Sequence, residues 1–413
     1  MPNCFRGLVA SLAVTAWMIS APASAVTISI DYTYDTGFFA PGTQARNALV
    51  AATDYYSSIL NDTLAAIPTP PTKFVSPTNG MVEWTWTLDF NHPAGLGSVS
   101  IENGAVAADE FIIYPGSKLY DNSTLAIGSA GGSQIFRSGP PNSAFSTPEI
   151  AQINAVRDLV VSTITRRGEE TGFAAWGGSI SFDADTEWHF NHTTPPAAGK
   201  VDLYTVALHE LAHTLGFGVS PEWTALTQPT GTTFTGQSAT SLYGGPVPLA
   251  SGSSSHWQNG LGSTVFGGSA SQTAVMTAGI STGNRRHLTA IDAAAQADIG
   301  WSIAVPTIVG DYNDDGSVNA ADYTVWRNTV GQGSNLAADG NNSGWIDTGD
   351  YAVWKSHFGA GSGAGAGNET RGDSHGVPEP TAVIYLITCG MLVTGFRCKL
   401  FSHRVAQLAC ASI

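Results

Sequence analysis

Apolar and polar residues alternate from Val26 to Tyr34 (VTISIDYTY), and a period of two predicts a β-strand. From Gln44 to Leu60 the period changes. Ala48, Leu49, Ala52, Tyr55, Tyr56 and Ile59 recur at steps of three and four, which puts them on one face of a helix. Val82–Phe90 and Glu110–Tyr114 read as further strands. A second helix is predicted over Pro148–Arg166, with Thr147 as its N-cap. Gly178–Phe182 is another strand. A helix follows from Asp202 to Leu215, with Leu203, Val206, Ala207 and Leu211 as its buried stripe. Gly216 ends it, because glycine takes the left-handed C′ conformation without a Cβ penalty. Thr230–Gly268 is rich in Gly, Ser and Thr and reads as a long loop insertion. Thr289–Ile299 reads as a closing helix, capped by Thr289 with Asp292 three residues on. Strands and helices in this order make 26–303 an α+β domain.

The pattern changes after Ile303. Asp311–Asp322 and Asp339–Asp350 repeat with a period of 28 residues. Asp311, Asn313, Asp315, Asn319 and Asp322 place oxygen donors at positions 1, 3, 5, 9 and 12 of a loop, with Gly316 at position 6 for the sharp turn. The second copy offers Asp339, Asn341, Ser343, Asp347 and Asp350, with Gly344 at position 6. This is the spacing of an EF-hand-type Ca2+ loop. A short helix follows each copy, carrying Tyr323 and Trp326 or Tyr351 and Trp354. These aromatics must pack together, since each half alone has too little core. The repeat, 304–358, therefore reads as a small all-α domain, and 359–376 as a flexible Gly/Ser/Ala linker.

Composition narrows the partners. The 413 residues carry a formal charge of −15, with only 17 Lys and Arg and no basic patch mid-chain. That balance argues against nucleic acid and suits Ca2+. Cys4, Cys389, Cys398 and Cys410 all lie near the ends, so packing and metals alone must hold the body of the chain. Residues 1–25 have the form of a secretory signal: Arg6, an apolar run from Gly7 to Ile19, then Ala23-Ser24-Ala25. The run is short for a bilayer span. At the other end Val377-Pro378-Glu379-Pro380 precedes an apolar run from Thr381 to Gly395 and then Arg397, Lys399 and Arg404. Segment 377–413 resembles a PEP-CTERM sorting signal, although it continues to Ile413 past the usual basic ending. The resemblance implies exosortase-type processing and a secreted or cell-surface location in a Gram-negative-type bacterium, with a plain membrane anchor as the alternative.

The candidate chemistry lies in VDLYTVALHELAHTLGFG, 201–218. His209 and His213 are four apart, so on a helix both imidazoles leave one face a turn apart, as zinc ligands do. Glu210 stands beside that face as a general base for water whose pKa zinc lowers toward about 7. HELAHTLGFG resembles the metzincin metallopeptidases. In that family a third His follows the glycine by three residues, where this chain has Val219. The leishmanolysin-like members place an insertion there and supply the third His later. This sequence has matching parts in the 230–268 insertion, Ser255-His256-Trp257, and Ala274-Val275-Met276-Thr277.

The resemblance implies a twisted mixed sheet with an active-site helix and a closing helix. It also implies His256 as third zinc ligand and Met276 as the floor of the site. Rivals for the third place are His287, His189, His192 and Glu222; His189 and His192 read as a solvated loop or, with Asp183 or Asp185, as a second metal site like that of matrixins. Gly178–Phe182 resembles the substrate-binding edge strand of matrixin-type members. The implied activity is that of a Zn2+ endopeptidase acting on protein or peptide substrates. Asp at position 12 of both acidic loops resembles the dockerin family, which implies a cohesin-like partner, or a Ca2+-stiffened spacer. The competing reading is a degenerate surface binding or assembly protein that works through the repeat.

Overall fold

The computed structural model describes residues 26–360, apart from 70–71, 121–123, 170, 228, 230, 269, 305–308, 314–317, 334–336 and 342. The expected leader, nearly all of the linker, the C-terminal segment, the four cysteines, and loop residues Asp315 and Gly316 lie outside the described residues.

Among those residues the chain runs through β1 (Thr27–Ile30), α1 (Gln44–Ile59), β2 (Thr72–Ser76), β3 (Gly80–Asn91), β4 (Ser98–Glu102), β5 (Glu110–Lys118), β6 (Ala126–Ala130), β7 (Gly132–Ser138) and α2 (Thr147–Arg166). It continues through β8 (Gly177–Asp183), β9 (Trp188–His189), β10 (Val201–Asp202), α3 (Leu203–Thr214), α4 (Pro221–Thr227), β11 (Thr233–Phe234), α5 (Gln237–Tyr243), β12 (Val247–Ala250), β13 (Ser253–Trp257), β14 (Gly262–Thr264), β15 (Ser271–Thr273) and α6 (Ala290–Asp298). The repeat supplies α7 (Ala320–Thr329) and α8 (Thr348–His357).

The main sheet has the order β1-β5-β8-β6, with the first three strands parallel and β6 antiparallel to β8. α1 and α3 pack on one face, where Ile113, Ile180 and Phe182 meet Leu49, Ala52, Leu208 and Leu211 in the larger core. The mixed sheet with its helices is compatible with a metzincin-like domain. One expectation is corrected. Gly178–Phe182 is not an edge strand: β8 is buried at every residue and paired on both sides. The edge beside it is β6, whose sequence AIGSA has no apolar alternation to announce a strand.

A second layer covers the other face. β3 pairs with β2 and β4 on one side and β7 on the other, all antiparallel. Trp84, Trp86, Leu88 and Phe90 alternate inward along β3 and form a second core with Ile153, Val160 and Ile164 of α2. Full burial of each such side chain contributes about 1.5–3 kcal/mol. Phe90 stacks on Tyr114 of β5 at 4.3 Å and joins this layer to the main sheet. α2 starts one residue earlier than expected. Its cap is Ser146, whose N–H and hydroxyl donate to Glu149 at 2.8 and 2.7 Å.

The segment read as a loop insertion also needs correction, because 230–268 contains β11, α5, β12, β13 and β14. Its inward residues Phe234, Ala239, Val247, Leu249 and Trp257 belong to the larger core. Elements of two to seven residues are too short to show a period among Gly, Ser and Thr.

In the repeat the aromatics do meet. Trp326 Nε1 donates to the Asp347 carbonyl at 2.7 Å, and Trp354 Nε1 to the Asn319 carbonyl at 2.9 Å. The two bonds are related by the 28-residue period, so each helix reaches back to the cap of the other. Asp322 and Asp350 are fully buried. Asp322 accepts the N–H groups of Tyr312, Asn313 and Asn319, and Asp350 those of Asn341 and Asp347.

Candidate metal centre and active site

α3 is buried along its whole length rather than on one stripe. Its cap, Asp202, is fully buried, accepts the Thr205 N–H at 3.1 Å, and pairs with Arg285 at 2.6 Å. Tyr56 of α1 donates its hydroxyl to the Leu208 carbonyl at 3.0 Å. The helix is thus fixed at its start and at its middle. Gly216, at φ 97°, turns the chain away from its end as expected.

His209 Nδ1 donates to the Val275 carbonyl and His213 Nδ1 to the Phe217 carbonyl, each at 2.8 Å. A carbonyl only accepts, so the proton of each ring lies on Nδ1. Burial, helped by the neighbouring imidazoles, pushes His209 well below the usual histidine range and His213 down to about 4. Both rings are therefore neutral near pH 7, and both Nε2 atoms present bare lone pairs. β13 brings His256 to the same place. The three Nε2 atoms form a triangle with sides of 3.2 Å. Its Nδ1 lies 3.1 Å from the hydroxyls of both Ser253 and Ser255.

Lone pairs meeting at that distance repel unless a cation stands between them. Tetrahedral zinc with bonds of about 2.0–2.1 Å spaces its nitrogens by about 3.3–3.4 Å. The donor set fits that ion.

Glu210 follows His209 and is also buried. The Gly128 N–H of β6 donates to its Oε2 at 2.6 Å. Burial pushes the carboxyl up to about 7, against the effect of that hydrogen bond. Position 128 must be glycine, since a Cβ there would lie 2.2 Å from the Glu210 carbonyl oxygen. Sequence reasoning missed Gly128, and nothing in AIGSA flags it.

Met276 is fully buried, and its carbonyl accepts the Trp257 N–H at 2.9 Å. The turn at 274–277 thus holds His209 through Val275 and the strand of His256 through Met276. Behind the turn stands Asp292, expected only as part of a cap. Its fully buried carboxylate accepts from Trp257 Nε1 at 2.8 Å, the Val275 N–H at 3.0 Å, the Met276 N–H at 3.4 Å, and the Thr289 N–H and hydroxyl at 3.0 and 2.6 Å. One carboxylate joins the closing helix, the turn and β13.

Val219, where the short metzincin pattern has its third His, is 48% exposed. Just before it Gly218, at φ +76°, lets the turn after α3 lie against β13. A Cβ at 218 would come within 2.5 Å of the Ser255 carbonyl oxygen. The rival ligands stay apart. His287 is exposed at the edge of Tyr204, and Asp185 is exposed. His189 Nε2 turns to the Asn191 carbonyl at 2.9 Å, while His192 stacks on Tyr204. Asp183 accepts from the Tyr120 N–H and the Thr186 hydroxyl. Glu222 is partly buried on α4. Among the described residues, His209, His213 and His256 are the group of metal-type side chains whose ligand atoms all lie within 4.8 Å of one another.

The Matrixin peptidase family model matches residues 170–242, a span that holds His209, Glu210 and His213 and stops before His256. No curated protein and no solved structure matches the chain. The family match and the convergence of the three histidines support a zinc metallopeptidase of the metzincin type.

Proposed function

We propose that the chain is a secreted or surface-displayed zinc endopeptidase with Glu210 as general base. The observation that carries this reading is the 3.2 Å triangle of Nε2 atoms with a buried carboxyl beside it. His209, His213 and His256 would hold the ion through Nε2, and Met276 would floor the site. Bound there, zinc supplies a Lewis acid that polarises a peptide carbonyl and acidifies water.

The residues of the chain do the rest. Glu210 takes a proton from the attacking water at a carboxylate oxygen and returns it to the leaving amine nitrogen. Its raised pKa suits both transfers near neutral pH. The free side of β6 offers backbone donors and acceptors to an extended substrate, which adds to the sheet as a strand. Gly128, in the middle of that edge, brings the substrate within reach of Glu210. The leishmanolysin-like arrangement accounts for a third ligand outside the matched span. We assign the two acidic loops to Ca2+, with a dockerin-like module or spacer as their role, and the C-terminal segment to surface sorting.

The test is hydrolysis of an unstructured protein by the mature chain. Activity is expected to vanish with a chelator, to return with Zn2+, and to be lost in Glu210→Ala with zinc content retained. A Glu210→Ala variant as active as wild type would refute the reading.

A further inference from the structure

A cavity of about 470 Å³ opens beside the edge strand β6. Asn91, Lys118, Tyr120, Ser129, Ser179 and Ser181 are among its lining side chains. Among the described residues its lining has hydroxyls, an amide, the His92 ring and the side chain of Lys118, but no carboxylate. Lys118 is paired in register with Asp183, whose oxygens accept the Tyr120 N–H and the Thr186 hydroxyl. Among the described residues Lys118 forms no ion pair. It lies 5.4 Å from the centre of the Tyr120 ring.

The cavity is joined to the edge by Ile127 and Ser129, which also line it and flank Gly128. Side chains alternate along a strand, and directly opposed residues on neighbouring strands share a face. A peptide added to β6 therefore turns the residue opposite Gly128 toward α3 and Glu210. It turns the residues opposite Ile127 and Ser129 to the other face, over the cavity.

We propose that this cavity is a substrate subsite for acidic side chains, with Lys118 as its charge partner, so that the enzyme prefers Asp or Glu next to the residue facing Glu210. The inference rests on the peptidase reading above. It runs against the net charge of the chain, because the preference comes from one local cation among donors.

The test uses the full chain and one peptide scaffold carrying Asp, Glu, Asn, Ala or Lys at each position flanking the scissile bond. In wild type, kcat/KM for the acidic peptide is expected to exceed that for the Lys peptide by about tenfold, with a ratio that falls as salt is raised. Lys118→Met is expected to bring the acidic-to-alanine ratio to about one, and Lys118→Glu to reverse the order. The same peptides are titrated onto Glu210→Gln by fluorescence anisotropy. Cleavage with no acidic preference, or a preference unmoved by Lys118→Glu, overturns the subsite and leaves the peptidase standing. Acid-selective binding without cleavage by wild type would sink the peptidase reading and leave the subsite. Neither binding nor cleavage removes both.

Discussion

The two halves of the candidate metal centre are built differently. The helical half, His209 and His213, takes its spacing from one turn of α3 and its ring orientation from backbone carbonyls. The strand half, His256, comes 43 residues after His213 on β13, and its ring is held by two side-chain hydroxyls. Local geometry sets the first half. The second exists only because Gly218 lets β13 approach and Asp292 ties that strand to the turn beneath the site. Helical spacing survives small movements of the surroundings, whereas a ligand placed by tertiary contact does not.

The largest effects should come from attacking the strand half without touching a ligand. Gly218→Val adds a branched side chain at φ +76°, against the Ser255 backbone. Zinc affinity, measured by chelator competition, is expected to fall as far as in His256→Ala, even though all three histidines remain. An affinity equal to wild type would mean that β13 has another way in. Asp292→Asn leaves one acceptor where five donors converge and turns an amide NH2 toward some of them. The expected loss is about 3 kcal/mol of folding stability by denaturant titration. A loss of zinc affinity of about 10–100-fold should accompany it.

This asymmetry also explains what the sequence could reveal. His209, Glu210 and His213 were legible because the helix fixes their relation at short range. The closing helix was equally plain in its capping box. His256 was reached only through a family resemblance, since nothing in its neighbours' spacing relates it to His213. The edge strand was misplaced for a related reason. β8 carries the stronger hydrophobic signal because it is covered on both faces, as interior strands are, while the edge beside it, β6, is a run of small residues. Gly128 and Gly218 work through the absence of a side chain, and that becomes visible only when the opposing backbone is in place.

The two kinds of buried group at the site should also separate by pH once zinc is removed. Burial lowers His213 to about 4, so between about 6.5 and 4 the unfolded chain binds protons that the folded chain refuses. Stability therefore falls on acidification across that window. Glu210 has the opposite sign. Raised from 4.5 to about 7, it keeps a proton that the unfolded chain has released, and its contribution is lost as pH rises from about 4.5 to 7. Glu210→Gln removes only this second effect. The difference in thermal midpoint, variant minus wild type, should grow as the pH of the chelated protein is raised from 5 to 7. A difference independent of pH would place the Glu210 titration elsewhere.

The smallest effect belongs to the hydroxyl pair. Ser253 and Ser255 lie 2.9 Å apart, and each is 3.1 Å from His256 Nδ1. Removing either one leaves the other to accept the ring proton, so each single alanine variant should weaken zinc by no more than about tenfold, the low end for such partners. The double variant leaves Nδ1 without a hydroxyl and should cost more than the two single losses added together, because the partners substitute for each other. A conservative Ser253→Thr in the Ser255→Ala background keeps one hydroxyl and should bind zinc as tightly as Ser255→Ala alone. If the losses simply add, the hydroxyls act one by one as packing contacts. Then the strand half owes its precision to Gly218 and Asp292 alone.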